Sequence, residues 1–543
     1  MAGASWGSKA SRGIRSNVRN SFLTKNLLGL SQNVDERFLS PSEAIDIVNM
    51  HSLKDGSWSA DKGGYVYLNE TAYESGASID GVYWQQYADG SEQLVFACNG
   101  KLKTVNLTTG IATDLDASAT YHVGGSVSFQ NVSGVLFSCD GFMNKPRKWD
   151  GTTASTYAGT ITDGTNTYTK PKHLGLHQNR LILSNFNEHP DHYALSDINN
   201  VETFTTPATS ASDSFIGEAK GGSIGIVGQK TIANANSNAD VTILFKRRGI
   251  FAVTGASGLA TDADAFKCIR LNNRFGSFNN NCIVENGQDL LAINEYGICS
   301  YTSATISGNV QPVGINHNRV RDVLSRINVN AVDKCWGIHL ADRREIWWGI
   351  PTGASSQANE FIIYRYTDPG EQTSLPRWSR RKGFTASCGT LYGTSFYIGT
   401  YNGHIAKMFS ASNYNGVGIN WVYEYPFNDF GNELQYKNVN NAEAHFRVRG
   451  QQNFTIQTTW KTGDKQEVAT KNLSIASTVT GSTRGGTKWG ASKWGAKTES
   501  VVPFQISSDG GRLKLKLSGT TTSTGPEFLG AALTVEYGSM ISN

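Results

Sequence analysis

The sequence predicts an all-β protein, a β-propeller followed by a C-terminal β-sandwich, and three observations lead there. A strand–turn–strand phrase, apolar, then a turn with Gly, Asn or Asp, then apolar or aromatic again, recurs seven times at spacings of roughly 40 to 65 residues. Glycine accounts for 58 of 543 residues and aromatic residues for 10%, while helical periodicity is scarce, which favours short twisted strands and tight turns. Beyond about residue 410 the phrase gives way to longer alternating strands.

The seven phrases run in order. Leu94-Val-Phe-Ala-Cys-Asn-Gly100 leads into Lys101 to Val105, and Val135-Leu-Phe-Ser-Cys-Asp-Gly141 leads to Trp149. Arg180-Leu-Ile-Leu-Ser184 leads to His192-Tyr193, and Ile243-Leu-Phe245 reaches Ile250-Phe251 through Lys246-Arg247-Arg248-Gly249. Leu290-Leu-Ala-Ile293 leads to Tyr301, Glu345-Ile-Trp-Trp-Gly-Ile350 pairs with Phe361-Ile-Ile-Tyr364, and Phe396-Tyr-Ile398 returns through Asn402-Gly403. The propeller is therefore expected over residues 31–410. A propeller's last blade is commonly completed by an N-terminal strand, because an unpaired edge exposes a row of backbone donors and acceptors; that strand is expected near Ala44 to Asn49. The Thr-, Ser- and Asn-rich stretch from Asn200 to Ala239 reads as a surface excursion able to hide one more hairpin, which leaves six, seven or eight blades open.

Residues 411–543 read as the sandwich. Ala442 to Arg449, Phe454 to Trp460, Val501 to Ile506, Arg512 to Leu517 and Phe528 to Tyr537 alternate with period two, the pattern of sheets with one wet face. Residues 1–30 form a basic extension with no acidic residue before Asp35. In it Arg12, Arg15 and Arg19 would share a face if helical, so the segment is either a flexible tail or an arm that orders on a partner or on DNA phosphates.

Formal charge is +4, from 49 basic and 45 acidic residues, so global charge does not argue for nucleic-acid binding. The seven cysteines are scattered, with no Cys-x-x-Cys and no regular His partner, and read as reduced thiols rather than a disulfide framework or zinc site. No run of about 18 apolar residues exists for a membrane span, and no signal-peptide core precedes the folded region. Secretion by the host route is not expected.

Catalytic signatures are missing: no Gly-x-Ser-x-Gly, no His-Glu-x-x-His and no phosphate-binding loop. His189-Pro-Asp-His192 lacks a third ligand and reads as a turn, and Ser507-Ser-Asp-Gly-Gly511 resembles half of a sialidase turn without repetition. Neither a catalytic residue, a metal site nor a cofactor is assigned, and a non-enzymatic protein is expected. Three basic clusters stand out: Lys246, Arg247 and Arg248; Arg343 and Arg344; and Arg377 with Arg380, Arg381 and Lys382. They are either solvated turns or, across successive subunits, the lining of a passage for a phosphate backbone. The tandem around Trp489 and Trp494 is either a partner-contact loop or a hairpin tip tucked onto the sandwich. With Trp58 and Trp84 it would supply aromatic faces to a glycan or receptor.

Read in order, several of these texts resemble one family. Glu188-His-Pro-Asp-His-Tyr-Ala-Leu-Ser-Asp197 running to Phe204, Phe245 to Gly255, Arg274-Phe-Gly-Ser277 before Asp289 to Asn294, and Arg343 to Pro351 with Phe361 to Tyr364 and Pro376-Arg-Trp378 are similar to the tail hub, or packaged-DNA stabilization, proteins of short-tailed phages. The similarity is one of pattern over residues 31–410 and is weaker in the sandwich. It implies a structural virion protein of the tail, made in the host cytoplasm. Copies, six by the resemblance, would form a homo-hexameric nozzle ring below the portal and adaptor. That ring would meet tail fibres or tailspikes, extend the channel for double-stranded DNA, and retain the genome until ejection. The basic extension departs from the family pattern and leaves the adaptor contact unassigned. A glycan- or receptor-binding propeller and, further off, a polysaccharide hydrolase are the competing expectations.

Overall fold

The computed structural model describes residues 19–540 apart from 25–26, 33–34, 61, 117, 119, 199, 206–207, 222–224, 233–239, 288, 302–312, 316–318, 368–375, 433–434, 449–450, 476–497, 507–508 and 523. Arg12, Arg15, Trp489 and Trp494 lie outside the described residues. The chain divides into two compact units, one of residues 62–367 and 380–417 and the other of residues 1–61, 368–379 and 418–543. The expected boundaries at 30 and 410 are thus corrected: the sandwich unit takes the N-terminal segment and a short stretch before residue 380 as well as the C-terminal region.

The first unit is a propeller of seven antiparallel blades among the described residues: five are separate four-stranded sheets and the sixth and seventh are stretches of one larger sheet. Each phrase found in the sequence forms the two middle strands of one blade: Glu92–Cys98 with Lys101–Val105, Val135–Cys139 with Arg147–Trp149, Arg180–Ser184 with His192–Leu195, and so on to Ser395–Gly399 with Ile405–Ala411. Among the described residues the blades number seven, since the described part of the 200–239 stretch holds no further hairpin. It supplies the outer strand of the third blade, Phe215–Glu218, and the inner strand of the fourth, Gly228–Ile232. Buried Arg180 ties down the first part of that excursion, donating to the carbonyls of Ser196, Ala211, Ser212 and Asp213 at 2.7–2.9 Å.

Neighbouring blades bury apolar faces against one another. Val95, Ala97 and Leu102 of the first pack with Leu136 of the second, and Leu244 and Val253 of the fourth pack with Ile182 and Leu195 of the third. The ring closes where Ile79, Leu94 and Phe96 of the first blade meet Cys388, Tyr397 and Ile405 of the seventh. Inner strands approach closely at glycine: a Cβ on Gly337 would stand 2.5 Å from Val284 Cγ2 and 2.7 Å from Trp348 Cδ1.

The closing strand is Gly64–Tyr67, antiparallel to Ile405–Ala411 with Tyr67 opposite Ala406 and Tyr65 opposite Met408. The expected closure at 44–49 is corrected: Asp46–Val48 pairs instead with Val422 to Glu424 inside the other unit. The physical reason is in the side chains. Ile47 is buried in an apolar core, whereas Gly64–Tyr67 buries Tyr65 and exposes Val66, as an outer blade strand with one wet face should.

The second unit is a two-sheet sandwich. One sheet joins Thr498–Phe504, Gln435–Val448, Glu527–Met540, Trp58–Ser59 and His51–Ser52, with Arg19–Thr24 also paired to Glu527–Met540; in the other, Lys465–Ile475, Gln452–Thr462, Arg512–Thr521, Val417–Glu424 and Asp46–Val48 follow in order. Between them lie Trp421, Tyr423, Phe446, Phe454, Trp460 and Phe528, together with Leu27, Ile47 and Trp58 from the N-terminal segment. Two expectations change here. Within the basic extension Arg19–Thr24 forms a strand, with Arg19 opposite Glu536. Trp58, at 1% exposure, is core rather than a stacking platform.

Closure depends on a backbone approach at Gly64, where a Cβ would meet the Asn413 carbonyl oxygen at 1.9 Å. Gly64→Val is expected to destabilise the propeller unit by about 1–3 kcal/mol through overpacking, read as a lowered thermal midpoint in near-ultraviolet circular dichroism.

Candidate functional site

The basic turn of the fourth blade is built from its middle strands, Val241–Phe245 and Ile250–Thr254. Its three cations part company. Lys246 points inward at 0% exposure, bound to Asp191 Oδ1 at 2.9 Å and donating to the Gly221 carbonyl at 2.8 Å. Arg248 lies outside and holds Glu295 through Nε and Nη2 at 3.1 and 2.9 Å. Arg247 sits between, with its guanidinium 5.4 Å from the Phe278 ring centroid.

The following loop clamps this turn. Gly249 N donates to the Phe275 carbonyl at 2.9 Å and Ser277 N to the Lys246 carbonyl at 3.0 Å. Gly276 allows it, since a Cβ there would strike the Lys246 carbonyl oxygen at 1.9 Å. On that loop Arg274 covers Tyr296 at 4.8 Å. Beside it opens a cavity of about 710 Å³ lined by Arg247, Phe278, Tyr296, Arg321, Ile327 and Val329 among others.

The other predicted cations fall on the sixth blade and are engaged in structure. Arg381, at 0% exposure, donates to the Gly63 carbonyl at 2.5 Å and lies over Trp347. Arg343 lies 3.8 Å from the Phe409 centroid and 3.3 Å from Glu345; Arg381 faces the same Phe409 ring. Arg344 closes its turn in the left-handed region at φ 58°. Arg380 binds buried Glu360 at 2.8 Å, with Arg326 and Lys382 at 3.3 and 3.5 Å. Burial pushes the Glu360 carboxyl up, but these three cations outweigh it and the group stays below the ordinary range. Lys246 and Arg381 are therefore corrected from candidate contacts to internal ties, because a cation with no exposed surface cannot meet a phosphate backbone.

The propeller axis is a second polar space that the sequence did not point to. The inner strands enclose about 560 Å³ lined by Gln130, Lys230, Thr231, Glu285 and Thr390 among others. Burial works against charge on both Lys230 and Glu285, and each partly offsets it for the other. At one mouth, in a cavity of about 420 Å³, Asp80 is 5% exposed. Its Oδ2 accepts from Gly124 N at 3.0 Å and its Oδ1 has no protein donor. Burial pushes this carboxyl up to about 6. Asp80 and Lys230 escaped the sequence reading because inner strands are mixed in polarity and carry no repeated phrase.

Among the described residues no cluster of three His, Cys, Asp or Glu is placed to hold a metal. His189 and His192 meet edge-to-face at 5.1 Å with Tyr168 against both. All seven cysteines are free. Burial pushes the thiols up, to about 12 for Cys98 and Cys388 and about 11 for Cys268, which keeps them poor nucleophiles. Trp84 is half-buried and packs at 5.7 Å from Tyr392.

No protein-family model matches the chain, and no curated protein matches it. Solved structures similar to it include the computationally designed Ika8 protein, at 9% identity and TM-score 0.34, covering 62% of this chain and 98% of that one. BBS1N in complex with ARL6DN follows at 9% and 0.38, covering 64% and 97%. A candidate gluconolactonase shows 11% and 0.32, covering 64% and 92%. Likeness at these TM-scores carries no argument about activity or partners.

Two outcomes test this account of the charges. Lys246→Met removes the charged donor from Asp191, which keeps its bond from Gly225 N, and is expected to cost about 2 kcal/mol in urea denaturation, whereas Arg248→Ala, removing a surface pair, should cost about 0.5 kcal/mol or less. For Asp80, a folded value raised to about 6 means that the unfolded chain ionises first as pH rises. Stability is then lost between about pH 4 and pH 6 and stays lower above that window. Asp80→Asn should remove that part of the slope, seen as a denaturation midpoint that gains on the parent chain from pH 4 to pH 6.

Proposed function

We propose that this chain is a structural virion protein of a short-tailed phage, a tail hub or nozzle subunit that assembles into a ring around the DNA passage. The observation that supports this best is where the resembling texts fall. They lie in consecutive blades, on middle strands such as His192–Leu195, Ile250–Thr254, Asp289–Asn294 and Glu345–Ile350 and on the turns beside them. These are positions that specify a frame rather than a reactive centre. A propeller suits such a role, since each blade is braced by two neighbours while loops remain for partners.

The DNA passage would be a property of the assembled ring and not of one propeller. An axial space of about 560 Å³ cannot take a duplex whose major groove alone is about 12 Å wide. With a chain charge of only +4 and Lys246 and Arg381 withdrawn from the surface, contact with phosphates should be weak, sequence-independent and salt-sensitive. Such contact would let DNA leave without stalling. The non-enzymatic character of the chain is part of the same proposal.

Cryo-electron microscopy of virions whose genome encodes this chain tests it. Density for the chain in a sixfold ring distal to the portal is expected; absence from the tail, or placement only on peripheral fibres, would overturn the reading.

A further inference from the structure

The cavity beside the fourth-blade turn is unlike the rest of the surface. Its floor is aliphatic and aromatic, from Phe278, Leu324, Ile327 and Val332, and its rim exposes Val329 at 74% and Tyr296 at 47%. Arg247 and Arg321 line it beside a single acid, Glu295, and Glu295 is already neutralised by Arg248. Arg247 has no carboxylate partner among the described residues and lies on Phe278, while Arg274 lies over the lining residue Tyr296. Arginine and aromatic side chains over an apolar floor are the composition of interface centres rather than of ordinary protein surface.

The walls are also preorganised. Buried Lys246 anchors the turn to Asp191, and the loop bearing Arg274, Phe275 and Phe278 is bonded to that turn at both ends. Binding would therefore cost little ordering of the backbone.

We infer that this groove docks an acidic polypeptide segment, with a carboxylate on Arg247 and an apolar side chain over Ile327 and Val329. Charge complementarity selects an anion, and the aliphatic floor selects among anions. Duplex DNA presents phosphates along its outside and keeps its apolar groups, such as the thymine methyls, inside the grooves, where they do not reach such a floor. A polypeptide alternating acidic and aliphatic residues presents both. The inference does not depend on the tail-hub reading, which can fail while the groove still binds.

Fluorescence anisotropy with the full chain and three labelled probes tests it: a short Glu/Leu alternating peptide, its Gln/Leu counterpart, and a thymidine oligonucleotide. The Glu/Leu peptide is expected to bind saturably and to weaken as salt rises. Arg247→Glu and Val329→Asp should each weaken it by about tenfold or more, about 1.4 kcal/mol or more, while Lys465→Ala in the sandwich unit leaves it unchanged. Circular dichroism and thermal midpoints must match the parent chain; if Arg247→Glu does not fold, Val329→Asp, at an exposed rim position, decides. Equal binding of the Gln/Leu peptide, tighter binding of the oligonucleotide, no saturable peptide binding, or indifference to the folded variants would each overturn the proposal.

Discussion

Ring closure is the constraint on which the rest of the propeller depends. Each blade is a small sheet too thin to bury its own apolar faces, so its stability comes from the blades on either side. The seventh can be braced only if its outer edge is completed by chain that precedes the first. Gly64–Tyr67 does this on Ile405–Ala411, and the seam is sealed by Ile79, Phe96, Tyr397 and Ile405. Because the pairing joins residues more than 330 apart in sequence, it carries a large closure entropy, and its register has to be specified by side chains on one face. Tyr65, stacked on Tyr414 at 5.3 Å and edge-on to Phe384 at 5.7 Å, supplies that specificity.

The same logic explains why so many cations are internal. A propeller leaves long connections between blades, and their carbonyls need donors. Arg180 satisfies four carbonyls of one excursion, Lys246 joins the fourth-blade turn to Asp191 and Gly221, and Arg381 reaches the Gly63 carbonyl next to the closing strand. A guanidinium offers five donors in a plane against an ammonium's three, which suits Arg180 to its four carbonyls. Runs of basic residues in this chain are therefore mixed in purpose: within Lys246-Arg247-Arg248 one residue anchors, one faces a cavity and one neutralises an acid. Charge counting along the sequence cannot separate these, because burial alternates with the turn geometry.

What was legible in the sequence follows from where burial is strongest. At least one middle strand of each blade carries a short apolar run, and some, such as Glu345–Ile350 and Arg180–Ser184, are buried throughout, so all seven announced themselves. Inner strands are mixed: Ser128–Val132 faces the axis on one side and has no fully buried residue. Outer strands are half-wet, like Ala112–Asp116. Their hydrophobic signal is weak, and with it went the axial residues Asp80, Lys230 and Glu285. The closing strand was misplaced for a related reason. Hydrophobicity reports that a segment is buried, not against what, and Ile45 to Val48 is the more apolar run although its core is the sandwich.

Sorting the charges by environment also narrows what kind of surface the propeller offers. Burial removes Lys246 and Arg381 outright, and carboxylates hold Arg248, Arg343 and Arg380. Arg247 is left as the member of the predicted set that faces a cavity while resting on an aromatic ring. Local electrostatics there are set less by how many arginines surround the groove than by the pairing of Glu295 with Arg248, which cancels the one acid in its wall. A weakly charged chain whose propeller unit carries this groove is suited to distinguishing partners at a point rather than to attracting polyanions over its whole face. Such a division would let the propeller unit select a protein partner at one groove while attracting polyanions only weakly.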